Sequence, residues 1–151
     1  VFEWANVRVS WMFNWTMLRL TWEPRMLSIL RIITGLFYLQ HGLNKIFDFP
    51  PTADHAPYHL FTLVPGVAGL LEAVGSILIV LGLFTRPVAL ILSGEMAFAY
   101  FLDHAPRSFF PLVNGGNLAV LYCFTFLYFS VAGPGVWSLD QLWRARGSAG
   151  G

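Results

Sequence analysis

Residues 65–103 read PGVAGLLEAVGSILIVLGLFTRPVALILSGEMAFAYFLD. The stretch holds two apolar runs, Pro65 to Phe84 and Pro87 to Asp103, separated only by Thr85 and Arg86. Each is close to the roughly 20 residues that a helix needs to cross a bilayer. A link of two residues leaves no room for anything but an antiparallel hairpin. Helices are the expected form, because a chain in lipid must satisfy its own backbone hydrogen bonds.

Two further runs flank this hairpin: Met26 to Phe47, MLSILRIITGLFYLQHGLNKIF, and a stretch beginning near Asn114 or Gly116 and ending at about Ala132. FDFPP closes the first and GPG the last. The composition agrees with four spans. Of 151 residues 56% are hydrophobic and 11% charged, with a mean hydropathy of +0.62. A water-soluble domain carries about 25% charged residues, and one core this small could not hide so much apolar surface. A formal charge of +1, nine basic residues against eight acidic, excludes a protein that grips nucleic acid through its phosphates. One cysteine, Cys123, excludes an internal disulfide or a CxxC redox pair. The expected fold is all-α, an integral membrane four-helix bundle with an N-terminal interfacial segment. Its parts are a Trp-rich segment over 1–25, the four-span domain over 26–142 and a flexible tail over 143–151.

The first 25 residues admit three readings. On a wheel of 100° per residue, Trp4, Trp11, Trp15 and Trp22 share one face, opposite a polar stripe of Glu3, Asn6, Ser10, Asn14 and Thr21. That favours a helix in the headgroup region, where tryptophan concentrates, and makes those tryptophans a candidate partner interface. Alternation of Val7, Val9, Trp11, Phe13, Trp15 and Met17 with polar residues supports a strand or arm instead. A fifth span is the third reading. No stretch resembles a cleavable signal peptide. Arg8, Arg19, Arg25, Arg86, Arg144 and Arg146 fall on one side of a four-span topology, against Arg107 and Lys45 on the other. Both termini are therefore expected in the cytoplasm, in a bacterial inner membrane.

Ionisable side chains inside spans are costly and mark sites by default. Arg31, Thr34, Gly35, Tyr38, His41, Gly42 and Lys45 lie on one arc of the first run, predicting a stripe that faces the bundle interior. By depth at 1.5 Å per residue, Arg31 lies roughly 9 Å and Glu95 roughly 12 Å from the cytoplasmic ends of their runs. His41 and Glu72 lie roughly 9 and 10 Å from the outer ends. The expected pairs are Arg31 with Glu95, and Glu72 with His41 or Lys45. Such pairs either lock helices together or also bind a polar headgroup or move protons.

Outside the spans, Asp54-His55-Ala56-Pro57 recurs as Asp103-His104-Ala105-Pro106, and His59 follows His55 by four. Pro57 argues against one helical face presenting both histidines, so no metal site is assigned. In the loop from Arg107 to Asn117, Gly115 and Gly116 predict a concave run of N–H groups able to hold an anion or a quinone oxygen, with Asn114 beside it and Phe109, Phe110 and Pro111 as an aromatic wall. An interfacial turn is the plainer reading. The aromatic series Tyr122, Phe124, Phe126, Tyr128 and Phe129 reads as packing or lipid-facing surface.

LRIITGLFYLQHGLNKI, PGVAGLLEAVGSILIVLGLFTRP and FFPLVNGGNLAVLY together resemble the DoxX family of small four-span membrane proteins. The likeness covers about residues 26–142, including the closing GPGVWSLD, and leaves out the Trp-rich N-terminal stretch. The family often has an acidic residue after the glycine pair, where Asn117 stands here. The resemblance implies association with membrane oxidoreductase assemblies, such as the DoxD-type subunit of thiosulfate:quinone oxidoreductase and a complex linking superoxide dismutase and sulfurtransferase partners. Nothing in the chain supplies a redox centre, so it is expected to be non-catalytic alone. The leading expectation is an accessory subunit of an oxidoreductase or electron-transfer complex, surrounded by lipid and other membrane subunits. It binds a quinone or lipid headgroup through Tyr38, His41, Lys45, Glu72, Asn114, Gly115 and Gly116. The alternative is a structural or assembly subunit of a larger membrane complex.

Overall fold

The computed structural model of the protein describes residues 3–52, 59 and 61–149. Among these the chain forms helices and turns, with no β-strand. The first helix, α1, spans Glu3–Phe47. A π-helical turn, Leu63–Val67, runs into α2, Ala68–Leu81. After Gly82, Leu83 and Phe84 comes α3, Thr85–Ala99, which continues through a second π-turn, Tyr100–His104. A single turn, α4 (Pro111–Asn114), leads to α5, Asn117–Ala132, and the chain closes with α6, Leu139–Ala149.

The π-turns matter for length. With them, Leu63–Leu81 reaches roughly 28 Å and Thr85–His104 roughly 30 Å, the thickness of a bilayer core. Within α1, Trp15–Phe47 is long and apolar enough to cross a membrane. Outward-facing Phe37, Ile77, Leu90, Ile91, Leu121 and Phe124 are exposed on four helices, as lipid contact requires.

Two expectations change. α1 passes position 25 without a break, carrying Pro24 inside it, so the N-terminal stretch is neither a strand nor a separate antiparallel span. At 45 residues α1 is roughly 68 Å long, more than a bilayer core holds. The segment 143–151, expected as a flexible tail, is helical through Ala149.

Packing follows the small residues. α1 lies on α2, and α3 on α5. A Cβ at Gly42 would stand 2.5 Å from the Ala73 nitrogen, and one at Gly35 would stand 2.7 Å from Val80, so glycine sets how closely α1 and α2 approach. The seam between α1 and α5 is filled instead by rings: Tyr38 meets Tyr122 and Phe126 at centroid distances of 4.9 Å. These join Ile79, Leu92 and Phe129 in the core.

Candidate functional site

Charged side chains concentrate at two levels of the bundle. At the first, Arg31 is 0% exposed. Its Nε donates to the Pro134 carbonyl at 2.8 Å, Nη1 to Val80 at 2.7 Å and to Ile79, and Nη2 to Trp137 at 2.5 Å. Ile79 and Val80 belong to the last turn of α2, where the Ile79 carbonyl also accepts from the Gly82 N–H at 3.1 Å, and Pro134 and Trp137 belong to the turn after α5. The expected Arg31–Glu95 pair does not form. A guanidinium offers five donors in a fixed fork, and the carbonyls at the end of α2 surround it. Glu95 sits instead at the level of Tyr38, two turns or roughly 10 Å along α1 from Arg31.

The same level has two more caps. Arg86 Nη1 donates to the carbonyls of Ser130, at 3.1 Å, and Val131, at the end of α5. Asp140, from α6, accepts from the backbone N–H of Phe84 at 2.8 Å and of Thr85 at 2.9 Å, where α3 begins. Cation at a C-terminus and anion at an N-terminus are the arrangements that helix dipoles favour. Arg31, Arg86 and Asp140 each make their hydrogen bonds to backbone.

The second level is different. Lys45 Nζ lies 2.5 Å from Glu72 Oε1, and Tyr38 Oη donates to Glu95 Oε2 at 3.2 Å. Glu72 is 2% exposed. One oxygen of each carboxylate, Glu72 Oε2 and Glu95 Oε1, is buried with no hydrogen-bond partner. Two carboxylates thus share one ammonium and one phenol. His41 does not pair with Glu72; its ring stands beside Tyr38 and Tyr122, at 6.0 and 5.8 Å.

Two cavities meet at this cluster. The larger, about 480 Å³, lies between α2 and α3, with Lys45, Glu72 and Glu95 on its polar side and Leu71, Phe98 and Leu102 among its apolar residues. Phe98 and Leu102 are themselves exposed, so the cavity reaches the outer surface of the bundle. The smaller, about 280 Å³, is lined by Tyr38, His41, Lys45, Glu72, Gly115 and Tyr122, with Asp103 and His104 also in its wall. Lys45, Glu72 and Asp103 line both.

Of the residues expected at a binding site, Tyr38, His41, Lys45, Glu72 and Gly115 are brought together. Asn114 and Gly116 are not among the lining residues. The Asn114 amide donates to the Ser108 carbonyl at 2.6 Å, and Asn114 Oδ1 accepts the Gly116 N–H at 2.7 Å. The N–H run expected at Gly115 and Gly116 is therefore used in part to fold its own loop. Phe109 and Pro111 line an apolar cavity elsewhere, with Phe101 and Phe124. Trp15 and Trp22 are 65% and 51% exposed, and Trp22 carries the Arg25 guanidinium over its ring at 5.7 Å. The side chains of Trp4 and Trp11 lie outside the described residues, as does the first Asp-His-Ala-Pro copy. Sequence reading missed Tyr122, assigned to general packing, and Glu95 as the partner of Tyr38. The second Asp-His-Ala-Pro copy was the one signal pointing to Asp103 and His104.

Residues 26–105 match the DoxX family. The chain is 44% identical over 123 residues to an uncharacterized protein of Haemophilus influenzae, covering 80% of this chain and 92% of the relative. It is 29% identical over 129 residues to the inner membrane protein YphA of Escherichia coli, covering 79% and 91%. A second uncharacterized Haemophilus influenzae protein is 31% identical over 124 residues, covering 77% and 82%. No solved structure matches the chain.

Proposed function

This chain belongs to the DoxX family of membrane proteins, and from that premise we propose that it is a ligand-binding accessory subunit of a membrane oxidoreductase or electron-transfer complex. The ligand is amphipathic, of the quinone class, with its apolar part in the cavity between α2 and α3 and its polar head toward Lys45, Glu72 and Glu95. One observation carries the reading: a buried, incompletely satisfied cluster of ionisable groups forms the inner wall of a cavity that reaches the outer surface of the bundle. Its volume, about 480 Å³, lies within the range of small-molecule sites, which combine apolar walls with a few placed polar groups. Structural locking alone is served by charges whose donors and acceptors are taken up, as around Arg31. Buried polar atoms without partners cost stability and are retained where something else completes them.

Tyr38, His41, Lys45, Glu72 and Gly115 orient the head, and a partner subunit carries the electrons, since one cysteine is the chain's whole thiol inventory. The excess of arginine at the Arg86 level supports a topology with both termini in the cytoplasm. Trp15 and Trp22 are the face offered to other subunits. Native mass spectrometry of the protein extracted from its membrane in lipid particles tests this. Co-release of a quinone mass supports it. A stoichiometric protein partner without quinone would sink the ligand reading in favour of a purely structural subunit.

A further inference from the structure

We infer that α6 forms a binding site for an anionic membrane phospholipid, with the phosphate at Arg146 and the upper acyl chain in the groove between α6 and Leu83. On a wheel of 100° per residue, Leu139, Leu142, Trp143 and Arg146 fall within about 100° of one another. Asp140, Gln141 and Arg144 make up the opposite face. The first four residues and Leu83 line a cavity of about 280 Å³. Leu139, Leu142 and Trp143 are all exposed, and so is Phe84, which meets the Trp143 ring edge-on at a centroid distance of 6.1 Å. An apolar face with a single guanidinium at its end is thus left open beside the ends of two spans.

The depth of this groove follows from how α6 is tied down. The Asp140 N–H donates to the Gly82 carbonyl at 2.9 Å, and the Asp140 carboxylate accepts from Phe84 and Thr85. α6 therefore starts against the turn joining α2 to α3, and the end of a span lies where hydrocarbon gives way to headgroups. The groove continues the apolar surface of the same hairpin, where Ile77, Leu81 and Phe84 are exposed. Acyl chains cover an amphipathic helix at this depth, with tryptophan at headgroup level. Charge then selects the headgroup. Arg144 and Arg146 are exposed, and among the described residues neither is in an ion pair. Asp140, the one acid of α6, is turned onto backbone N–H groups. An arginine fork matches phosphate oxygens, and a basic side chain at the membrane surface favours anionic over neutral lipid.

The test is quenching of Trp143 fluorescence by lipids brominated on the upper acyl chain. The full chain is placed in phosphatidylcholine nanodiscs holding a minor share of brominated phosphatidylglycerol or, in its place, the same share of brominated phosphatidylcholine. Subtracting the Trp143→Phe variant isolates one signal among six tryptophans. The anionic lipid should occupy the groove about fivefold more readily than the neutral one. Arg146→Gln should bring the two near parity, Arg146→Lys should keep most of the preference, and Arg144→Gln, on the opposite face, should change it less than about twofold. Thermal unfolding checks that each variant is folded. Equal quenching of the parent protein by both lipids overturns the inference, as ordinary boundary lipid would then fill the groove. Absence of Trp143 quenching by either lipid overturns it in favour of a protein partner or a second copy over this face. An undiminished preference in folded Arg146→Gln, or an equal loss in Arg144→Gln, overturns the assignment of the phosphate to Arg146.

Discussion

The Arg31 and Glu72 levels of this bundle treat buried charge in opposite ways. Around Arg31, a guanidinium, a second arginine and an aspartate each end on backbone groups that their helices leave unsatisfied. Around Glu72, carboxylates exceed cations, two oxygens lack partners, and cavities lie on both sides. Burial alone does not distinguish the levels, because Arg31 and Glu72 are both almost wholly enclosed. Completeness does. A charge whose partners are all backbone is fixed in place and holds the ends of helices together, whereas one with a vacant partner, beside a cavity, is suited to bind.

Four substitutions sharpen or break that contrast. Arg31→Met should be the most damaging, since it strips donors from the carbonyls of Ile79, Val80, Pro134 and Trp137 at once. A loss of roughly 4 kcal/mol or more is expected, read as a large fall in the midpoint of thermal unfolding in detergent. If Arg31→Met unfolds like the parent protein, the capping account fails. Gly42→Val drives a side chain into the Ala73 backbone and should cost about 2 to 3 kcal/mol by wedging α1 from α2. The same unfolding assay reads it, and a smaller cost for Gly94→Val, where a Cβ meets nothing within 4 Å, is the matched control.

Asp140→Ala removes the cap of α3 and should cost about 1 kcal/mol, with faster amide exchange at Phe84 and Thr85 as its local signature. Glu95→Gln changes one hydrogen bond, from Tyr38, and should shift stability by less than about 1 kcal/mol. Equal destabilisation by Glu95→Gln and Arg31→Met would erase the difference between the levels.

Much of this bundle is written in its hydropathy. The end of α1 at Phe47, the hairpin of α2 and α3, and α5 all follow from apolar runs and their Gly and Pro borders. The stripe from Arg31 to Lys45 is visible because helical spacing is local. The partner of Arg31 is invisible, because a backbone carbonyl is present at every residue and leaves no mark in the sequence. Depth arithmetic offered Glu95 instead, since it compares charges along an axis and ignores both the ends of neighbouring helices and the azimuth. Tyr122 was hidden for a related reason: its place beside Tyr38 depends on how α5 faces α1, which the even apolarity of α5 does not encode. The continuity of α1 through Pro24 was likewise not legible. A proline normally ends or kinks a helix, yet here the Pro24 carbonyl accepts from Ser28 Oγ at 2.9 Å and the turn after α5 packs against it.

The central claim, that the Glu72 level binds a ligand and the Arg31 level does not, is tested most directly by photolabelling. A photoreactive short-chain quinone would be irradiated with the protein in nanodiscs and the modified residues mapped by peptide mass spectrometry. The account predicts labels on Leu71, Phe98 and Leu102, competed by unlabelled quinone. Labels confined to the Arg31 level, or spread over the lipid-facing surface without competition, would contradict it.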